Sequence, residues 1–396
     1  MKIVILTCWY TDNMGYAENC LPRSLAKLGH EVHIISSLGK AYFNDSSYEK
    51  TYASFAGPAI APAGTTQLTE RLFLHRLPHG FLMGRIYLKG LYSVLKSINP
   101  EVVQSFEIAS PYTLQAVLLK PFLGFKYFNG SHTTLSVFPL HHTWSSWSLQ
   151  KLKWVLFKQF PGWVVSWFTN RCYPASSDCA LIATTYMGMP ADKCTVCPLG
   201  VETDVFMPAN TSSLIQDCEQ KRAELGYIAD DIVCIYTGRF SEDKNPLVLA
   251  KAIASLQKTG ETTFKGLFIG EGIQRDAILA CEGCQVISFL PHTQLPLFYR
   301  LADIGVWPTQ ESTSMLDAAA SGIPIIVNDT LKATERIDGN GLSYKLGNFE
   351  DLAHKLRLLG DKSYRKKLGD TGRYRMETLF SWDKIAKERI QDYLTF

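Results

Sequence analysis

Nowhere in the 396 residues do about eighteen apolar residues run together, so no segment is long enough to cross a bilayer as a helix. A strong charge of one sign is lacking too. The formal net charge is +3 with 19% charged residues, which gives no reason to expect nucleic acid as a partner. The three-glycine fingerprint of dinucleotide-binding units is missing after the first strand, which argues against a nicotinamide cofactor and an NAD-dependent dehydrogenase. Cys281-Glu-Gly-Cys284 has metal-ligand spacing but no second pair to complete four ligands, so no zinc site is expected. The cysteines are scattered, several inside apolar runs (Cys179, Cys194, Cys197, Cys234), and read as reduced core residues of a cytoplasmic protein. The opening MKIVILTCWY has one lysine and too short an apolar run for a secretory signal; it reads as a first strand.

What is present describes a soluble α/β protein of two domains, each large enough to bury a core, with 46% hydrophobic residues overall. Strand Lys2–Thr7, a loop holding Gly15, a helix from Ala17 to Leu28 and strand Glu31–Ser36 make a βαβ unit of the doubly wound kind. Residues 40–70, rich in Ala, Ser, Thr and Gly, read as a long loop near the cleft. A helix over Gly84–Ser97, strand Val102–Ser105, helix Pro111–Leu123 and strand Lys126–Asn129 follow. Ala180–Thr184 and Lys193–Pro198 read as the last strands of the first domain, before a linker at Leu199–Pro208. The second domain repeats the alternation: strands Ile232–Thr237, Lys265–Ile269, Val286–Phe289, Ile304–Val306 and Ile325–Val327 with helices between. Helices over 349–359 and 363–378 and an amphipathic tail over Trp382–Leu394 complete it.

The stretch Pro308–Val327, PTQESTSMLDAAASGIPIIV, reads as a polar loop leading into a short Ala-rich helix that Gly322 stops. Capped by the preceding Ser and Thr, that helix would present the N–H groups of Ser314, Met315 and Leu316 to an anion such as a diphosphate. Glu311 and Asp317 flank the helix start. Carboxylates are acceptor-only and suit hydroxyl groups, meaning a sugar or a ribose. A capped helix with two solvated carboxylates fits the same residues. Arg239 directly follows a strand end behind Gly238, and Lys244 lies five residues on, near a helix start. Arg grips phosphate through two N–H groups and Lys adds a point charge, so the two could neutralise a leaving diphosphate. An ion pair with Glu242 or Asp243 would also account for them.

The strings GRFSEDKNP (238–246), LFIGEG (267–272), PTQESTSMLDAAASGIPIIV (308–327) and GNGLSYKLGNFEDLA (339–353) resemble the second domain of a retaining family 4 glycosyltransferase. GHEV at 29–32, the strand end at His132, KCTVCPLGVETDVFMP (193–208) and FSW at 380–382 are similar to the rest of that family. The resemblance implies a GT-B fold: two Rossmann-like doubly wound parallel-sheet domains facing a cleft. It places an acceptor-binding domain at 1–205, a nucleotide-sugar domain at 206–378, and a helix at 379–396 crossing back to the first. It implies transfer of a sugar from a nucleotide sugar, such as a UDP- or GDP-sugar, with retained configuration. No metal is then needed, in keeping with the lack of any Asp-x-Asp triplet, and no cofactor beyond the donor itself. Arg239, Lys244, Glu311 and His132 are the candidate catalytic residues. Gly15, Gly238, Ser312, Thr313, Ser314, Met315, Leu316 and Asp317 are the candidate donor contacts. The sequence departs from the family pattern in three places. Glu311 and Asp317 are six residues apart where the family has two glutamates eight apart, Gly15 stands beside Met14 where two glycines are usual, and Leu199 replaces a common Asn.

The acceptor is expected to be a glycan or a lipid-linked sugar, made toward a cell-surface polysaccharide or glycolipid. Residues 138–170 mix five tryptophans with Lys151, Lys153 and Lys158, as an interfacial helix does, so this stretch is a candidate peripheral contact with the inner face of a membrane. An amphipathic helix packed on the first domain fits it slightly better. Arg71, Arg76, Arg85, Lys89, Phe81 and Leu82 form a second basic and apolar stretch that could share its face.

Overall fold

The computed structural model describes residues 1–46, 48–133, 149–331 and 337–396, and the account below concerns these. The first domain supplies β1 Lys2–Leu6, β2 Glu31–Ser37, β3 Gly64–Thr69, β4 Leu72–Leu77, the hairpin β5 His79–Leu82 and β6 Arg85–Leu88, β7 Val102–Ser105, β8 Lys126–Ser131 and β9 Arg171–Pro174. Seven of these form one sheet in the order β3-β4-β2-β1-β7-β8-β9, parallel except for the antiparallel edge strand β3. The second domain supplies β10 Ile232–Thr237, β11 Phe264–Ile269, β12 Cys284–Ile287, β13 Ile304–Trp307, β14 Ile325–Asn328 and β15 Gly341–Tyr344, all parallel in the order β12-β11-β10-β13-β14-β15. Strands buried on both faces must be apolar throughout, which is why β1 (KIVIL) and β10 (IVCIYT) read as continuous hydrophobic runs. In each sheet the strand order reverses once, between β1 and β7 and between β10 and β13. Ligands of such sheets bind at the carboxyl ends of strands beside that reversal.

The last helix, Trp382–Thr395, packs on the first domain. Trp382, Ile385 and Tyr393 are buried with Leu21, Val32 and Phe128, the Arg389 guanidinium lies 3.1 Å from the centre of the Tyr173 ring, and Lys126 Nζ donates to the Tyr393 carbonyl at 2.8 Å. The linker is clipped to the start of this helix by Val201 N–H to Phe380 O at 2.8 Å and Trp382 N–H to Val201 O at 3.1 Å.

Four segments depart from the sequence reading. Residues 40–70 hold two short helices, Tyr48–Thr51 and Ala53–Ala56, and the edge strand β3. The helix expected over Gly84–Ser97 is split into β6 and a helix Leu91–Ile98, because Gly90 is left-handed (φ 81°) and breaks the helix there. The apolar run at Ala180–Thr184 is part of a helix, Ser177–Thr185, not a strand; Ser176 caps it by accepting the Cys179 N–H at 3.5 Å. Lys193–Pro198 is not a strand but extended chain bridged once to β9 at Cys172, and β9 itself, Arg171–Pro174, was not foreseen. Of the expected interfacial stretch, 138–148 lies outside the described residues; from Leu149 to Phe168 the chain is helical.

Candidate active site

The second sheet's carboxyl end is shaped by glycines. β10 ends in Gly238 (φ 145°) and β11 in Gly270 and Gly272 (φ 153° and 150°). A Cβ on Gly270 would overlap the Gly238 carbonyl oxygen, and one on Gly272 would lie 2.6 Å from the Phe240 carbonyl oxygen. The two turns therefore close on each other backbone to backbone, tied by Phe240 N–H to Glu271 O at 2.8 Å and Gln274 N–H to Phe240 O at 3.0 Å. Phe240, fully buried, pins the corner from below. Arg239 and Lys244 project from this rigid base. The Arg239 guanidinium is half-exposed and only loosely paired, 3.9 Å from Asp243. Lys244 Nζ donates to the Glu311 carbonyl at 3.0 Å, and burial holds its pKa below the ordinary lysine value.

Across the reversal, Ser314–Ala320 forms the expected Ala-rich helix, but its entry is not the bare anion site the sequence suggested. Thr313 makes no side-chain cap. The Met315 and Leu316 N–H groups bond the Ser312 and Thr313 carbonyls at 3.3 and 2.9 Å, and the Ser314 N–H meets Ser312 Oγ at 3.4 Å. The Met315 and Leu316 side chains are core residues, buried under the sheet. Ser314 Oγ instead accepts the Trp307 indole N–H at 3.0 Å and shares a 2.6 Å hydrogen bond with Ser312. Ser312, Thr313, Ser314 and Asp317 do line the cleft, whereas Glu311 is not among its lining residues and offers its backbone carbonyl to Lys244.

The opposite wall comes from the first domain. Met14, Gly15 and Tyr16 face Gly238, Arg239 and Lys244 across a cleft of about 260 Å³. Gly15 is there for want of space: any Cβ would overlap the His292 imidazole. His292, just after β12, was missed from the sequence. Its N–H bonds the Asn13 carbonyl across the cleft at 3.1 Å, its Nε2 lies 3.7 Å from Asp317, and its ring packs 4.8 Å from Phe206. Burial raises the Asp317 pKa while His292 works against the rise. Beside this contact stands an aromatic wall. Tyr42 stacks on Tyr52 at 5.0 Å, and Tyr52 meets Phe289 of the second domain edge-on at 6.0 Å. The stretch read as a plain loop thus closes one side of the cleft. Its only signal in the sequence was the density of tyrosines among small residues.

His132 lies elsewhere. It lines a small internal cavity with Phe106, Tyr173, Leu199 and Arg389, because the linker and the last helix cover the end of β8. Burial, aided by Arg389, pushes its pKa down to about 4, so it is neutral at pH 7. A second unforeseen residue is Glu18, in the first turn of the helix Ala17–Lys27. It is buried near Glu107, its Oε1 has no hydrogen-bond partner, and burial lifts its pKa to about 8.

Two parallel-sheet domains with a cationic corner on one side of the gap and a glycine loop on the other define a scaffold of the GT-B class. Comparison with known proteins agrees. The family model described as Glycosyltransferase Family 4 matches residues 21–205, and that described as Glycosyl transferases group 1 matches 231–361. The chain belongs to this family of glycosyltransferases. Among curated relatives, spore coat protein SA of Bacillus subtilis is 24% identical over 49% of this chain and 56% of its own length. A D-inositol 3-phosphate glycosyltransferase of Mycobacterium tuberculosis is 27% identical over 49% of this chain and 42% of its own length. The chain thus spans about half the length of the curated relatives it matches. Among solved structures, a glycosyltransferase from Rickettsia africae shares the fold at TM-score 0.69 and 16% identity, over 99% of this chain and 97% of that one. Anabaena Alr3699/HepE, solved with UDP, does so at TM-score 0.69 and 14% identity over the whole of both chains.

Proposed function

We propose that the chain transfers a sugar from a nucleoside-diphosphate sugar to a glycan or lipid-linked acceptor, in the making of a surface polysaccharide or glycolipid. One observation carries this reading. Arg239 and Lys244 stand on a glycine-locked corner at the second sheet's reversal and face the Gly15 loop across a gap with room for a diphosphate. Arg239 offers two parallel N–H groups, and Lys244 adds charge against the negative charge that grows on the leaving group. Those cations supply the stabilisation a divalent ion would give elsewhere, so transfer should proceed unchanged in excess chelator.

The aromatic wall of Tyr42, Tyr52 and Phe289, next to Leu290, suits a flat base and a sugar ring, which gain from stacking. Asp317, held by His292, sits where a ribose hydroxyl would find an acceptor. Retention follows if the leaving phosphate takes the acceptor's proton on the face it leaves from; an inverted product anomer would overturn that step. The donor is a UDP- or GDP-sugar in this reading, in line with the UDP and UDP-glucose complexes of Anabaena Alr3699/HepE.

The experiment is a transfer assay with a panel of nucleotide sugars on wild type, Arg239→Ala and Lys244→Ala. Transfer should be lost in both variants with circular dichroism unchanged, and undiminished transfer in both would refute the reading. A second reading, a carbohydrate- or nucleotide-binding protein without catalysis, is favoured by the short 308–313 loop and by Glu311 lying outside the cleft lining. Release of free nucleotide from the donor in wild type excludes it.

A further inference from the structure

Cys194, expected in the core, is only partly buried, and it lies beside a second thiol, that of Cys172. Cys172 stands in β9 and is fully buried. The chain from Lys193 to Pro198 runs alongside β9, and Cys172 and Cys194 are directly bridged partners of these two parallel stretches. Bridged partners on neighbouring strands have their Cα atoms about 4.8 Å apart and their side chains on one face. A disulfide needs Cα atoms about 4.4–6.8 Å apart, so this pair can be joined with the backbone where it is. The register is fixed around it. Thr195 N–H bonds the Cys172 carbonyl at 2.9 Å, Cys197 N–H the Pro174 carbonyl at 2.8 Å, and Arg171 donates to Thr195 Oγ1 at 2.9 and 2.6 Å.

The two sulfurs are unequal. Contact between the thiols, the largest influence on each, lowers the Cys194 pKa and raises that of Cys172. Burial raises the thiols of Cys20, Cys234 and Cys284 instead. A partly exposed thiol with a depressed pKa beside a buried one is the arrangement of an attacking and a resolving cysteine. The cysteines closer in sequence are not so placed. Cys197 packs on the opposite face of the sheet from Cys194, and Cys281 and Cys284 point apart, donating to the Ala277 and Ala250 carbonyls at 3.4 and 3.8 Å. Just beyond Pro198 the linker is clipped at Val201 to the start of the last helix, so the pair sits at the root of the linker.

We propose that Cys172 and Cys194 form a reversible redox site, whose disulfide ties the root of the linker to the edge strand β9 when the chain meets a peroxide. The Cys194 thiolate attacks one oxygen of hydrogen peroxide. The O–O bond breaks, hydroxide leaves and takes up the proton that Cys194 had shed, and Cys194 carries a sulfenic acid. The Cys172 sulfur then attacks the Cys194 sulfur: the S–S bond forms, the S–O bond breaks, and the hydroxyl leaves as water with the Cys172 proton. Two thiols are oxidised and one peroxide is reduced to two waters. This does not rest on the sugar-transfer reading, and the two can fail separately.

The test treats the reduced chain with hydrogen peroxide, blocks the remaining thiols with N-ethylmaleimide and maps the cysteines by mass spectrometry. Cys172 and Cys194 should be recovered as one cross-linked pair that dithiothreitol releases. The oxidised chain should melt about 5 °C or more above the reduced one, because the bond closes a loop in the unfolded chain. Cys194→Ser should give neither the link nor the rise. Should that variant fold poorly, wild type decides alone: link and rise should both vanish with dithiothreitol and return with fresh peroxide. Both thiols left open to alkylation at a peroxide dose that oxidises glutathione would overturn the proposal. So would Cys194 oxidised to a sulfinic acid with Cys172 still free, a link to another cysteine, or a link that leaves the melting temperature unchanged.

Discussion

The two walls of the cleft are built in different ways. On the second domain, the corner that carries Arg239 and Lys244 spans a few residues after each of two adjacent strands, and its shape follows from glycines whose backbones interlock. On the first domain, the facing wall gathers Gly15, Tyr42 and Tyr52 from separate segments and leans on His292 and Phe289 of the other domain. The electrostatics differ as well. The second domain holds Arg239 half-exposed and Lys244 partly buried at the cleft, whereas the first domain buries a carboxyl, Glu18, whose pKa is lifted to about 8. In the proposed reading, a diphosphate, the same in every nucleotide sugar, would be met by the fixed local corner, and the groups that differ between substrates by the surface assembled from afar.

Substitutions on the second wall should have the largest effects. Arg239→Ala and Lys244→Ala each remove a preorganised charge and should cost about a hundred- to a thousandfold in kcat/KM, as loss of one transition-state donor does. Transfer kinetics with circular dichroism checks this, and losses below threefold would erase the contrast between the walls. Next is Gly15→Val. Its side chain would collide with the His292 ring and either fill the cleft or hold the domains apart. A loss of about ten- to a hundredfold in donor affinity is expected, partly recovered in Gly15→Val/His292→Ala, because residues in contact are not additive.

The contrast also explains what the sequence could show. The cationic corner was legible because Gly238-Arg239, Lys244 and Gly270-Glu271-Gly272 lie next to strand ends in a strong apolar pattern. The buried helix Ser314–Ala320 was legible from its alanines and Gly322. What escaped notice depends on contacts between distant residues. Nothing near His292 announces that it fills the space Gly15 leaves, and nothing in the loop 308–313 shows that Ser312 and Thr313 satisfy the amides of Ser314, Met315 and Leu316. His132 sits at a strand end as expected, but the linker and the last helix cover that end, and no local pattern encodes the cover. The edge strand β3 offers no apolar pattern because its residues, GTTQLT, are mostly polar and nearly all exposed.

Two smaller effects sharpen the picture of the first wall. Tyr52→Ala removes a ring that spans the gap to Phe289 and should raise the donor KM about three- to tenfold with little change in kcat, because stacking is uniform binding. Glu18→Gln tests the buried carboxyl. Its pKa lies near 8 in the folded chain against a usual 4.5, so the folded form keeps a proton that the unfolded chain sheds. Stability should then fall as pH rises from about 4.5 to 8, by at most about 1.4 kcal/mol for each step of one in pH. Relative to wild type, Glu18→Gln should melt several degrees higher at pH 8.5 and at the same temperature near pH 4.5, as read by calorimetry. Parallel melting curves at both pH values would mean that the carboxyl is solvated.

The most direct test is thermal stabilisation by UDP and GDP in wild type and in Arg239→Ala/Lys244→Ala. At about one hundred times the dissociation constant, a ligand that binds only the folded chain adds about 2.7 kcal/mol. One of the two diphosphates should raise the wild-type melting temperature, its parent nucleoside should not, and the double variant should lose the response. A double variant stabilised as strongly as wild type would show that the diphosphate is not held by Arg239 and Lys244.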